Sequence, residues 1–313
     1  MKRLAGQERT ALTRRSRDPA PADAALPHAV LADTGLTDTA GRVTPQWLAL
    51  REPADAAARS RGLVRMLTTD LGGEEPLVVH DLGCGSGSQG RWLAPLLPGR
   101  QHWVLHDHDP QLLRAAAAAP PPGAADGAPV TLETRRTDLT TLTASHLSGA
   151  SLVTGSALLD MLTADEVEHL VRCCVAVGCR ALLTLSVVGR VTMDPPDPWD
   201  DALGAAFDDH QRRTTGGRTL LGPDAAAHAV ACFHRLGAQV RTRPSRWRLG
   251  AGSEALTAEW LRGWVEAACE QRPELAQEGR AYLDRRDAAL AQGRLRVTVH
   301  HLDLLARPNR GEE

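Results

Sequence analysis

Leu77-Val78-Val79-His80-Asp81-Leu82-Gly83-Cys84-Gly85-Ser86-Gly87-Ser88-Gln89-Gly90-Arg91 decides how this chain is read. Three apolar residues open it, as in a strand covered on both faces of a parallel sheet. Asp81 comes where that strand should end, and glycines follow at 83, 85 and 87. Beyond them, Arg91-Trp92-Leu93-Ala94-Pro95-Leu96-Leu97 carries apolar residues at helical spacing. Strand, glycine turn and helix together open a nucleotide-type βαβ unit. Glycine suits the turn because a ligand must approach the backbone closely and the chain needs positive φ there.

Two cofactor classes compete for that turn. Gly85-x-Gly87-x-x-Gly90 satisfies the dinucleotide pattern, but a single match of this kind is weak evidence. The stretch as a whole resembles motif I of the class I S-adenosylmethionine (SAM)-dependent methyltransferases, an acidic residue followed by Gly-x-Gly-x-Gly, here Asp81-Leu82-Gly83-Cys84-Gly85-Ser86-Gly87. Physics separates the two. A pyrophosphate wants bare N–H groups at a helix N-terminus and no carboxylate beside them. SAM has no phosphate and carries a sulfonium and an α-ammonium, which suit a nearby anion. Asp81 therefore favours SAM over a nicotinamide cofactor.

Working outward, strands are expected at about 102–107, 130–136, 151–155, 180–188 and 238–243, with a last one from Arg294 to Ala306. Thr44-Pro45 starts a helix by capping. A second helix is expected from Pro53 to about residue 71. Thr163 and Glu166 form a capping box for a helix at about 164–177. Residues 189–222 break the alternation, and 254–291 read as a helical insertion. The resemblance implies a doubly wound α/β fold, a mostly parallel seven-stranded sheet with the last strand antiparallel and inserted beside strand six. The expected organisation is a disordered arm at 1–28, a helical lid at 29–72 and a SAM-binding domain at 73–310.

The resemblance also implies site residues. Asp81 and Gly83, with Gly85 and Gly87, would line the methionyl end of SAM. Asp107, closing strand two, matches the acidic residue that holds the ribose hydroxyls, with Asp109 as its substitute. Asp138-Leu139, after strand three, match the acidic-apolar pair at the adenine. Ser156, after strand four, joins the cofactor set, as does Arg59, which reaches SAM's carboxylate if it is not merely an ion pair with Asp55. Asp160 stands where small-molecule methyltransferases place residues beside the transferred methyl, or else stabilises a helix start. His210 is a second catalytic candidate, with a solvated helix histidine as the alternative. Trp199 and Arg213 are candidate acceptor contacts. Trp260 and Trp264, one helical turn apart, are expected to pack the insertion onto the core.

Composition narrows the classes. A net charge of −2 gives no global field for nucleic acid or anionic membrane. Seven Trp but only two Phe and one Tyr argue against a stacking platform for single strands. The six cysteines form no Cys-x-x-Cys and suit buried thiols better than zinc or disulfides. His106-Asp107-His108-Asp109 puts its histidines on one strand face and its aspartates on the other, so no metal is expected. No apolar run reaches the roughly 20 residues of a membrane span. The expected protein is a cytoplasmic SAM-dependent methyltransferase with a small-molecule acceptor of specialised metabolism. RNA methylation, NAD-dependent oxidoreduction and non-catalytic SAM binding are the alternatives.

Overall fold

The computed structural model describes residues 43–73 and 76–308. The expected arm at 1–28 and the part of the lid before residue 43 lie outside the described residues.

Two helices come first. In α1 (Pro45–Ala58), the Thr44 side chain accepts from Trp47 N at 3.1 Å with Pro45 at the first helical position. Pro53 lies inside α1 and does not begin a second helix. The break comes at Arg59-Ser60, where the Ser60 hydroxyl caps α2 (Arg61–Leu71) by accepting from Leu63 N. A proline removes one intrahelical hydrogen bond, whereas Ser60 supplies an alternative partner for a new first turn, and here the cap sets the boundary.

The βα alternation then runs β1 (Leu77–Leu82), α3 (Ser88–Leu93), β2 (Gln101–Asp107), α4 (Pro110–Ala118), β3 (Val130–Arg136), β4 (Leu152–Ser156), α5 (Ala164–Ala176) and β5 (Arg180–Asp194). The expected capping box starts α5, with Thr163 N donating to Glu166 at 2.9 Å and Glu166 N to Thr163 at 3.3 Å. After β5 come α6 (Asp200–Gln211), a small hairpin of β6 (Thr214–Thr215) and β7 (Arg218–Thr219), and α7 (Ala225–Arg235). The chain finishes with β8 (Gln239–Leu249), α8 (Glu254–Gln271), α9 (Ala276–Ala291) and β9 (Arg296–Arg307).

The large sheet has the order β3-β2-β1-β4-β5-β9-β8. β1 to β5 are mutually parallel, and β9 is antiparallel to both its neighbours, β5 and β8. β5 and β8 run well beyond their expected ends at residues 188 and 243. β5 continues to Asp194 by pairing with β9 as far as Arg296. It does so across two register shifts, with Gly189 at φ +65° inside the second. Such bulges bend the strand and obscure its alternation in sequence.

Three apolar clusters hold these layers. One packs α5 and α7 on β4, β5 and β9 through residues such as Val167, Phe233 and Leu304. Another packs α2 and α3 on the opposite sheet face around Leu67, Leu93 and Trp103. The third joins α1, α6, α8 and α9 to the extended ends of β8 and β9 around Trp247, Trp264 and Tyr282. This extra helical layer stands over the end of the sheet where β1 to β5 finish. Cys84, Cys173, Cys174, Cys179 and Cys232 are buried, and all six cysteines are free. No helix of the described residues is long and apolar enough to cross a membrane.

Candidate functional site

β1 lies between β2 and β4, so the chain winds one way from it to β3 and the other way to β5. A crevice opens at such a reversal, outside the carboxyl ends of the strands. Here it is a cavity of about 680 Å³ roofed by α1, α6 and α8. With β9 inserted antiparallel between β5 and β8, the order is complete. The fold is that of the class I methyltransferases.

One end of the cavity is built by the glycine turn. Gly83 and Gly85 take φ of +62° and +54° and both line the space. A Cβ on Gly83 would sit 3.0 Å from Leu158 Cδ1, and one on Gly85 would sit 3.1 Å from Leu48 Cδ1, so the close approach leaves no room for a side chain. Gly87 does not line the cavity. It caps α3 at φ +85° and lets α4 approach, since a Cβ there would lie 3.2 Å from that of Ala116.

Asp81 is fully buried beneath this turn, and neither of its carboxylate oxygens has a hydrogen-bond partner. Burial pushes its pKa up to about 8, against the pull of Arg59 and with a further push from Asp107. Arg59, at the end of α1, is 3 % exposed. Its Nη2 donates to Ser156 Oγ at 3.0 Å and to Ser88 Oγ at 3.3 Å, while Nε and Nη1 have no partner. Its ion pair with Asp55 is long, at 3.8 Å, because Asp55 is held by Arg51 at 3.0 Å and by Trp247 Nε1 at 2.9 Å. The expectation of an ordinary surface pair therefore fails, and Arg59 is a buried cation with donors to spare. Burial lowers its pKa. Arg59 stands outside the cavity lining and beyond ion-pair distance of Asp81, but the two buried groups act on each other, and their unused hydrogen-bonding capacity suits a zwitterionic ligand, because each otherwise bears an uncompensated desolvation cost.

Asp107, at the end of β2, faces the same space. Its two oxygens accept from Gly85 N and Asp109 N, each at 2.9 Å, which fixes the carboxylate and leaves further lone pairs for a ligand. Burial raises its pKa while these N–H groups lower it. Asp109 is outside the cavity lining and accepts from Gln111 N at 2.7 Å as the cap of α4. Asp138 is likewise a cap, its Oδ1 accepting from Thr140 N and Oγ1, while Thr137 and Leu139 on either side line the cavity. Ser156 and Asp160 line it as well. One Asp160 oxygen is buried without a partner, and burial raises its pKa.

The opposite end is apolar and aromatic, with Met161, Phe207, Trp247, Trp260 and Trp264. Trp260 and Trp264 stack at 5.7 Å and belong to the third apolar cluster, so they pack the insertion and also wall the cavity. The other expected acceptor residues are elsewhere. On α6, Gly204, Asp208 and Gln211 share the cavity face, and His210 points away from it. His210 is 1 % exposed, with Nε2 against Glu270 at 3.1 Å and Nδ1 against Arg213 at 3.2 Å. Arg213 donates to the His210 carbonyl, and Trp199 packs into the third cluster at the start of α6; neither lines the cavity. In the histidine-aspartate run, His106 pairs with His80 at 2.9 Å and with Thr137, and burial drives the two imidazoles to about 3 and about 4.

Sequence reasoning did not single out Asp208, Trp247, His301 or Asp303. His301 lines the cavity with Nδ1 unpartnered, held neutral at about 3 by burial and by Arg51. Asp303 accepts from Ser60 N at 2.7 Å and Leu185 N at 2.8 Å, and from the Ser245 hydroxyl. Its one signal was an aspartate inside the apolar run Leu302-Asp303-Leu304-Leu305.

No protein-family model matches the chain, and no curated protein matches it. Solved structures with a similar fold include a cyclopropane synthase from Mycobacterium tuberculosis, 13% identical, covering 89% of this chain and 97% of that one with a TM-score of 0.45. A SAM-dependent methyltransferase from Geobacter sulfurreducens in complex with S-adenosyl-L-homocysteine is 18% identical, covering 84% and 98% with a TM-score of 0.40. The plantazolicin methyltransferase in complex with SAH is 10% identical, covering 91% and 96% with a TM-score of 0.42.

Proposed function

We propose that the chain is a SAM-dependent methyltransferase acting on a small-molecule acceptor. The observation that carries this reading is the buried pair of Arg59 and Asp81, whose free donors and acceptors match the carboxylate and ammonium of a methionyl group. Asp107 supports it, presenting a fixed carboxylate at the end of β2 for the two ribose hydroxyls. Leu139 and Leu112 offer apolar surface for the adenine. A dinucleotide fits less well, because Asp81 would face a pyrophosphate across the glycine turn.

The bound cofactor would supply a methyl group already activated by its sulfonium. What remains for the protein is placement and exclusion of water, which together can provide much of the rate in a bimolecular displacement. α1, α6 and α8 close over the strand ends and enclose the acceptor end of the cavity. Asp160 is the group placed to receive a proton there, since burial keeps its pKa above the usual carboxylate range. A helix-roofed cavity of this size suits a small molecule better than an RNA base presented from a large polyanion.

Calorimetry with SAM, S-adenosylhomocysteine and NAD tests the reading. Binding of the first two and not of NAD is expected. Tight NAD binding with no response to SAM would overturn it.

A further inference from the structure

The acceptor end of the cavity holds more negative charge than it neutralises. Asp160 has a buried oxygen with no partner. Asp208, half-buried on α6, makes no hydrogen bond or ion pair among the described residues, and its Oδ2 lies close over the backbone of Gly189. The cations that face the same space are occupied or exposed to solvent. Arg51 is held by Asp55 at 3.0 Å, and Arg190 is exposed. Asp200 is spent on Tyr282 at 2.7 Å and on Arg286. His300 and His301 are kept neutral by burial, since both have lowered pKa values. Arg51 acts on Asp160 and Arg212 on Asp208 from a distance, but each is bonded to another aspartate, Asp55 and Asp224, so neither carboxyl has a cation in contact, which is costly unless a ligand brings one.

The walls point the same way. Trp264 packs against Trp260 at 5.7 Å and Phe207 at 6.3 Å, while Trp247, against His301 at 5.5 Å, already carries the Arg51 guanidinium over its ring at 5.0 Å. Aromatic faces attract cations and accept flat apolar bodies. Trp264 Nε1 is buried with no acceptor, so its N–H is also available to a ligand.

We propose that this chamber takes a cationic amine with an apolar body, its ammonium between Asp160 and Asp208 and its body among the tryptophans. That the amine is the methyl acceptor rests on the methyltransferase reading; that the chamber selects a cation does not. In the transfer, the ammonium gives one proton to the Asp160 carboxylate, which frees the nitrogen lone pair. Nitrogen then forms the N–C bond as the C–S bond breaks, its electron pair leaving with the now neutral thioether sulfur. The product is a methylated ammonium, and Asp160 returns its proton to solvent, one proton released per transfer.

Three probes of one shape test the selection: tryptamine, tryptophol and indole-3-propionate, titrated calorimetrically into protein saturated with S-adenosylhomocysteine. Tryptamine should bind at least tenfold more tightly than tryptophol, and indole-3-propionate should give no heat. Asp160→Asn and Asp208→Asn should each weaken tryptamine at least fivefold, while the melting temperature and the affinity for S-adenosylhomocysteine stay as they were. Equal or tighter binding of the alcohol or the acid overturns the proposal, as does binding of none of the three, or tryptamine binding that both variants leave unchanged. If S-adenosylhomocysteine fails to bind but the free protein still prefers tryptamine, the methyltransferase reading falls and the cation site stands.

Discussion

Arg59 Nη2 lies 3.0 Å from Ser156 Oγ and so ties the end of the first lid helix to the end of β4, across 97 residues of chain. The same guanidinium keeps two donors unpaired beside the unpaired carboxyl of Asp81. Asp81 lines the cavity, and Arg59 stands behind that lining, bonded to Ser88 and Ser156, which belong to it.

Arg59→Met should therefore weaken S-adenosylhomocysteine by about ten- to a hundredfold, the range of about 1.5–3 kcal/mol for a hydrogen bond to a charged group. Arg59→Lys keeps the charge but loses the fork, and it should fall between the two. Calorimetry reads the affinity and a thermal melt reads the fold. Wild-type affinity in Arg59→Met would remove this residue from the cofactor site.

The Asp81 carboxyl gives a pH prediction with a definite sign. Its pKa is about 8 in the folded protein against 3.8 ordinarily. Between these values the unfolded chain gives up the proton and the native one keeps it, so this group makes the empty protein less stable as pH rises from about 4 to about 8. Pairing with an ammonium needs the charged form, so affinity for S-adenosylhomocysteine should rise from pH 6 to pH 7.5. Binding at pH 7 should release close to one proton, read from the buffer dependence of the calorimetric enthalpy. Asp81→Asn should abolish both the slope and the release. A slope unchanged in that variant would place the titrating group elsewhere.

The glycine-turn half of the cavity was legible because its residues sit at strand ends, where sequence periodicity and residue type point to the same place. Asp81, Gly83, Gly85, Asp107 and Leu139 all reach the cavity for that reason. Asp109 and Asp138 fall outside the cavity lining, because a short carboxylate next to a turn has a second use as a cap, and Oδ1 of each accepts from the N–H two residues on. The acceptor half was less legible. His210 looked like chemistry because it is a histidine, but helix periodicity already puts it opposite Gly204, Asp208 and Gln211. Trp247 and His301 lie on long strands, β8 and β9, whose pairing no local pattern shows. They line one cavity with Asp160 because β9 is inserted between β5 and β8.

Asp107 is fixed by two backbone N–H groups, and its loss should show twice. Asp107→Ala should weaken S-adenosylhomocysteine by on the order of 2 kcal/mol or more through two lost hydroxyl contacts. It should also lower the melting temperature, because Gly85 N and Asp109 N lose their acceptor. A drop in stability with unchanged affinity would assign the ribose contacts to another group.

Asp303 carries the last prediction. It lies fully buried in the middle of β9 and accepts from three elements: the Ser60 N–H that precedes α2, the Leu185 N–H on β5, and the Ser245 hydroxyl on β8. Leu185 lines the cavity at φ +56°, a conformation that costs a branched side chain roughly 1–2 kcal/mol and needs an outside partner to hold it. One carboxylate thus fixes the lid, the strained bulge and the edge strand together. Asp303→Leu should cost about 3 kcal/mol or more, since it leaves three buried donors unsatisfied at once. The destabilisation should be read by chemical denaturation. Amide exchange should show the loss first at Ser60 and Leu185, ahead of the β1–β2 pair. A variant as stable as the wild type, with both amides still protected, would mean that the lid is held on the sheet by its apolar face alone.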